Sequence, residues 1–243
     1  MVTLIGLLLA CSTATAPPPE ATAEAPARKA QAPLPRGWLE RVVGTDDPDT
    51  ELPMVVMVHG LGDRPESMLG LLDDDLPGPT RIIAPRAPDS YGQGFSWFSE
   101  RASGDRLALE RQMKKTAADF VRNLSRVHGS RPTTGKPILS GFSQGGMLSF
   151  TVATHHPDAI DKAVPVAGWL PEGLWPEGEP PEGAPAIVAL HGTADPVLPL
   201  APTQAAVEAL TERGWTVELK TFEGVQHKIP SEVREALLAE LAP

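Results

Sequence analysis

The chain has one cysteine, Cys11, in 243 residues. No internal disulfide can form, and no cysteine cluster exists to hold a structural metal. It also lacks basic charge. Lys and Arg number 21 against 31 Asp and Glu, a formal net charge of -10, whereas a nucleic-acid binder needs a basic stripe. Phosphate-cradling glycine signatures are missing as well. No G-x-x-x-x-G-K-S/T occurs, and Gly92-x-Gly94 in "YGQGFSWF" has no third glycine. There is no H-E-x-x-H, and the six histidines stand apart without metal-ligand spacing. Neither a metal nor a nucleotide cofactor is expected. The N-terminal apolar run, residues 2–10, is too short to span a membrane as a helix.

What remains is an ordinary globular composition, 41% hydrophobic and 21% charged, at a length that suits one α/β domain or two small ones. The N-terminus is distinct from the rest. "VTLIGLLLA" has the length of a signal-peptide apolar region, and Leu8-Leu9-Ala10-Cys11 resembles a bacterial lipobox, whose cysteine is acylated. No Lys or Arg precedes it, although signal peptides usually carry one. The expectation is a lipoprotein-like signal peptide over 1–11, lipid attachment at Cys11, and a disordered Ala/Pro-rich tether over 12–35. A globular domain follows over 36–243. This places the protein at the bacterial cell envelope, held to the membrane from outside the cytoplasm, with a cytoplasmic location as the alternative.

From Gly37 onward strands and helices alternate. "MVVMVHG" (54–60), "RIIAPRAP" (81–88), "KPILSGFS" (136–143), "KAVPVAGW" (162–169), "PAIVALHG" (185–192) and "TVELKTFEG" (216–224) are short runs, most of them apolar on both faces. Such runs suit central strands of a mostly parallel sheet. Between them, Leu109, Met113, Ala117, Phe120, Leu124 and Val127 recur at three-and-four spacing behind Asp105, a residue type favoured at an N-cap. Residues 144–155, 201–213 and 231–241 also suit helices. The result is a three-layer α/β fold. The segment 169–186 repeats Pro-Glu-Gly three times, which no regular element survives. It is expected to be a surface loop, either lining a substrate entrance through Trp175 or simply solvated.

Gly141-Phe142-Ser143-Gln144-Gly145 matches G-x-S-x-G. A chain this long shows that pattern by chance roughly one time in ten, so its context decides. An apolar strand runs into Ser143 and a helix leaves it, the setting of a nucleophile elbow. A serine hydroxyl needs a base, and in this topology an acid and then a histidine should follow at later strand exits. Asp195 in "HGTADPVLP" and His227 in "FEGVQHKIP" meet that order. The other histidines have blander readings. His128, His155 and His156 end helices, where they favour the negative pole, and His59 and His191 precede glycines and shape turns. The oxyanion donors expected are the backbone amides of Gln144 and of Leu61, in the loop after the first apolar run.

"HGLGD" (59–63), "APRAPDSYGQGFSWF" (84–98), "GFSQGG" (141–146), "HGTADPVLP" (191–199) and "GVQH" (224–227) resemble the phospholipase/carboxylesterase family, the acyl-protein-thioesterase-like branch of the α/β-hydrolases. The resemblance implies an α/β-hydrolase fold with a mostly parallel central sheet flanked by helices. It implies a cofactor-independent serine hydrolase of carboxylic esters and thioesters with Ser143, Asp195 and His227 as triad. Trp97, Trp169 and Trp175 are candidate pocket residues. Two other readings stand beside it: a peptidase of related fold, and a non-catalytic envelope lipoprotein that uses a hydrolase shell for binding.

Overall fold

The computed structural model describes residues 31–72, 76–99 and 104–242. Cys11, the lipobox and most of the tether lie outside the described residues. A seven-stranded sheet organises the rest. In chain order its strands are β1 (Leu39–Val43), β2 (Met54–Val58), β3 (Thr80–Ala84), β6 (Ile138–Phe142), β7 (Lys162–Val166), β8 (Ala186–Gly192) and β9 (Val217–Phe222). A two-stranded hairpin, β4 (Asp89–Tyr91) and β5 (Gly94–Ser96), stands apart. The order across the sheet is β1-β3-β2-β6-β7-β8-β9. All pairings are parallel except β1 with β3, which puts one antiparallel strand on the edge.

All six apolar runs form strands. β2 shows why: every residue of Met-Val-Val-Met-Val is buried, and the pleat sends alternate side chains to opposite faces. Met54, Val56 and Val58 join one core, and Val55 and Met57 join the other. The first core is closed by α2 (Arg106–His128), α3 (Gln144–His155) and α4 (Leu200–Glu212). The second is closed by α1 (Pro65–Leu72) and α5 (Ser231–Glu240). Three layers result, as the alternation of strands and helices implied. Helix α2 follows its sequence closely. The Asp105 side chain accepts the Ala108 amide at 3.0 Å, and all six periodic apolar residues from Leu109 to Val127 are buried. Each such burial stabilises by about 1.5–3 kcal/mol for the larger side chains.

The edge strand β1 carries its own fastening. Glu40 accepts from the buried Arg131 guanidinium at 2.9 Å and from buried Arg81. Burial works to raise the Glu40 pKa, but hydrogen bonds and charge from Arg131 and Arg81 outweigh it and hold the carboxyl below its ordinary value. Arg131 also reaches the Ala32 carbonyl at 2.5 Å, which ties down the start of the domain.

The Pro-Glu-Gly segment differs from a wholly solvated loop. Its first part makes a short 3-10 turn, Glu172–Leu174, and Leu170 and Leu174 are fully buried. The Trp175 indole donates to the Leu170 carbonyl at 3.0 Å. His155 meets this turn as well. It is half-buried and within 2.9 Å of the Leu174 carbonyl, and burial lowers its pKa. It is therefore a packing residue and not a free charge at a helix end.

Candidate active site

Strands β6, β8 and β9 deliver three side chains to the carboxyl end of the sheet. Ser143 follows β6 directly, with φ 56° and ψ -115°, a backbone region that side chains other than glycine's rarely occupy. Such strain costs of order 1–3 kcal/mol and persists only where neighbours enforce it. Here they do. The Ser143 amide donates to Val166 on β7 at 3.0 Å, and the Ser143 carbonyl accepts from Met147 in α3 at 2.9 Å. The flanking glycines are needed for close approach. A Cβ at Gly141 would lie 2.5 Å from the Gly145 backbone, and one at Gly145 would lie 2.2 Å from the Val58 carbonyl oxygen.

Asp195 sits in the turn after β8 with its side chain sealed from solvent. Its Oδ1 accepts the amides of Val197 and Leu198 at 2.8 and 2.9 Å. That leaves Oδ2 for His227 Nδ1, at 2.6 Å. A carboxylate only accepts here, so Nδ1 carries the proton and Nε2 is left free to accept. His227 Nε2 lies 2.9 Å from Ser143 Oγ. The ring packs against Phe142, centroids 4.8 Å apart, which fixes its tilt. The sequence-derived trio is thus brought into one continuous hydrogen-bonded chain.

A cavity of about 250 Å³ opens over Ser143 and His227, lined also by Gly60, Leu61, Asp63, Phe142 and Val197. Leu61 belongs to the loop after β2, which lies close to the serine: a Cβ on Gly60 would come within 3.4 Å of Ser143 Cβ. In that loop the Gly62 amide is taken by Phe95 and the Asp63 amide by Gly60. The Leu61 amide has no partner among the described residues. Gln144 begins α3, where the first amides have no partner within the helix. Both expected oxyanion donors therefore border the serine with amides available, and the helix dipole adds to the field there.

None of the three tryptophans lines this cavity. Trp97 is buried behind it. Its indole donates to the His59 carbonyl at 2.9 Å, and its amide donates to Gln144 Oε1 at 3.0 Å. Gln144 Nε2 in turn donates to the Phe98 carbonyl at 2.9 Å. Gln144 thus has two attachments: its backbone faces the serine, and its side chain pins the segment after β5. Trp169 is buried under Arg106, 5.8 Å from its ring, and the half-buried Trp175 lies under Arg213 at the same distance. The residues that do shape the mouth, Asp63, Phe142 and Val197, lie inside the quoted motifs, but nothing in the sequence marks them as lining a cavity.

Burial lowers the pKa of His59 and of His191, whose side chains are both inaccessible. They brace the site as neutral rings. His59 Nδ1 donates to the Gly60 carbonyl at 2.7 Å, while Nε2 accepts the Ala87 amide at 3.2 Å. His191 Nε2 donates to the Leu198 carbonyl at 2.8 Å and lies 3.6 Å from Asp195 Oδ2. No cluster of three or more His, Cys, Asp or Glu suited to a metal occurs among the described residues.

A parallel sheet with a strained serine at a strand-to-helix turn, followed by an acid and a histidine at later strand ends, defines an α/β-hydrolase of the serine type. The chain belongs to the phospholipase/carboxylesterase family, whose signature it matches over residues 39–241. It is 27% identical over 212 residues to esterase YpfH of Escherichia coli, covering 82% of this chain and 85% of that protein. It is 25% identical over 205 residues to acyl-protein thioesterase 1 of Gibberella zeae, covering 74% and 86%. Among solved structures, Zea mays acyl-protein thioesterase 2 superposes with a TM-score of 0.64 at 27% identity, covering 84% of this chain and 99% of that one. The protein is accordingly a carboxylesterase-type serine hydrolase.

Proposed function

We propose that Ser143 is the nucleophile that cleaves carboxylic esters, and by extension thioesters, through an acyl-enzyme. The observation that carries this is the unbroken relay of 2.9 Å from Ser143 to His227 and 2.6 Å from His227 to Asp195. His227 Nε2 takes the Oγ proton as Oγ attacks the carbonyl carbon. The amides of Leu61 and Gln144 hold the resulting oxyanion. The imidazolium then gives its proton to the departing alkoxide or thiolate, which leaves as alcohol or thiol. Water, deprotonated by the same ring, releases the acid and restores the serine. Asp195 holds the ring and stabilises its cation without taking the proton.

The mouth favours acyl groups of modest size. The cavity is about 250 Å³, and its rim residues Leu61 and Val197 are 36% and 60% exposed, an apolar border that meets solvent directly. A peptidase and a non-catalytic binding shell find less support: a binding role needs neither the strained serine nor a sealed acid. Labelling with a fluorophosphonate, and hydrolysis of p-nitrophenyl esters of increasing chain length, test the proposal. Ser143→Ala is expected to lose both the label and roughly 10⁶-fold in turnover while remaining folded. A variant that kept a tenth of the activity would overturn the assignment.

We further propose that Cys11 is acylated and anchors the enzyme to the membrane outside the cytoplasm. The lipobox-like Leu8-Leu9-Ala10-Cys11 and the Pro-rich stretch behind it support this. Intact-mass measurement of membrane-extracted protein tests it. A soluble, unmodified chain beginning at Met1 would refute it.

A further inference from the structure

A second cleft, apart from the one over Ser143, is larger than it. It has a volume of about 420 Å³ and lies between the segment before β1, the exit of β3, the residues after β5 and the face of α2. Its aromatic lining comes from Trp38, Trp97, Phe98 and Phe120. Arg36, Arg86 and Lys115 also line it, as do the carboxylates of Asp89 and Asp119. Three cations against two anions leave one net positive charge.

The cations are not equivalent. Lys115 is already paired with Asp119 at 2.6 Å, and Asp119 also with Arg122. Arg86 is different. Its Nε is buried without a hydrogen-bond partner, and its guanidinium lies over the Phe95 ring at 4.7 Å. The side chain is wedged in place, since a Cβ on Gly37 would meet Arg86 Nε at 2.7 Å. An unpaired buried guanidinium N–H is costly, and its planar fork suits a carboxylate. The site over Ser143 uses neither Arg86 nor this cleft.

We infer that the cleft between Arg86 and the Trp38–Trp97 wall is a second binding site, for a monocarboxylate with an aromatic or alkyl body. The single net charge favours a monoanion, with Asp89 and Asp119 set against a polyanion such as phosphate. The aromatic wall takes the apolar body, and the volume suits a small organic acid. Phe98 and Trp97 face this cleft on one side and hold Gln144 and His59 on the other. The two cavities are separate, since no residue lines both, and they are linked through the contacts of Trp97 and Phe98 with Gln144 and His59.

The test uses the full chain with 3-phenylpropionate, its neutral amide and inorganic phosphate as probes, read by tryptophan emission and calorimetry. Ser143 is first capped with a fluorophosphonate, so that binding over the serine is blocked. A failure of capping would count against the proposed nucleophile and leave the cleft to be tested on Ser143→Ala protein. The acid is expected to bind saturably to capped protein, with the amide weaker by about tenfold or more, the scale of a hydrogen bond to a charged group. Phosphate should not compete. Arg86→Gln should weaken the acid by a similar factor while ester hydrolysis persists. If that variant fails to fold, Arg36→Gln at the exposed wall is expected to weaken binding by a smaller factor. Loss of binding on capping, equal affinity for acid and amide, or unchanged affinity in both variants would overturn the inference.

Discussion

Two five-residue stretches of this chain share the pattern H-G-x-x-D at the carboxyl ends of parallel strands: His59 to Asp63 after β2, and His191 to Asp195 at the end of β8. Their outcomes differ. Asp63 is part-exposed, and its Oδ1 turns toward the start of α1 to accept the Arg64 amide at 2.8 Å and the Ser67 hydroxyl at 2.5 Å. Asp195 is sealed, and only one of its oxygens is consumed locally. The histidines differ in tautomer as well. His59 bears its proton on Nδ1, because the neighbouring acceptor is the Gly60 carbonyl and the donor opposite is the Ala87 amide. His191 bears it on Nε2, facing the Leu198 carbonyl. One pattern therefore makes an open donor loop in one place and a closed acceptor loop in the other. The neighbours decide which, as the roles of an aspartate and a histidine follow from their partners.

The largest test of this contrast is at the acids. Asp195→Asn is expected to lower turnover by roughly 10⁴-fold, since an amide no longer enforces the correct His227 tautomer. Asp63→Asn, although it also lines the cavity, should cost about tenfold at most, through a loosened loop. The measurement is kcat on a common p-nitrophenyl ester. An essential Asp63 with a dispensable Asp195 would exchange the roles of the two loops.

A smaller effect is expected at the histidines. His191→Gln replaces the rigid ring donor that holds Leu198, whose amide holds Asp195, with a flexible amide, and should lower kcat by about ten- to a hundredfold. His59→Gln acts on the loop that carries Leu61 and is expected to do less to the Asp195–His227 pair. Proton NMR of the Nδ1–H shared by His227 and Asp195 separates the two: its signal should broaden or shift in His191→Gln and stay in place in His59→Gln.

The smallest effect is in stability against pH. Burial lowers the folded pKa of both His59 and His191 below the ordinary 6.5. Between 6.5 and those lower values the unfolded chain binds more protons than the fold, so stability falls as pH falls through that window. Thermal melts should show the decline beginning near pH 6.5, and each His→Gln change should flatten it. The Glu40 cluster acts lower down. With a folded pKa below 4.5, its contribution is complete above 4.5 and is lost as pH drops further. Melts that stayed level from pH 7 to pH 5 would contradict the neutral, buried assignment of the two histidines.

The sequence made the central sheet legible because a strand buried on both faces has no polar alternation to hide it. It hid β1, since Leu-Glu-Arg-Val-Val reads as a mixed segment until Glu40 meets Arg81 and Arg131, and Arg131 is 91 residues away. The hairpin β4–β5 has only three residues per strand, too few for any period. Helix α1 begins at a proline and has eight residues, also below what periodicity resolves. The meeting of Ser143, Asp195 and His227 was readable because chain order and strand exits constrain it. The tryptophans were not, because nothing in the order of residues reports that the Trp97 indole reaches a carbonyl 38 positions earlier. The same holds for Gly94, where a Cβ would lie 2.1 Å from the Gly62 carbonyl oxygen.

Gln144 joins two parts of the molecule in time as well as in space. The Trp97 amide is hydrogen-bonded to the Gln144 side chain, and the Gln144 backbone starts the helix behind the serine. Solvent deuterium can reach that Trp97 amide only when the contact with the elbow breaks. The Trp97 amide should then exchange at the rate of the β6–α3 junction, as one cooperative opening unit. The turn at Gly92-Gln93, only a few residues away, should exchange far faster.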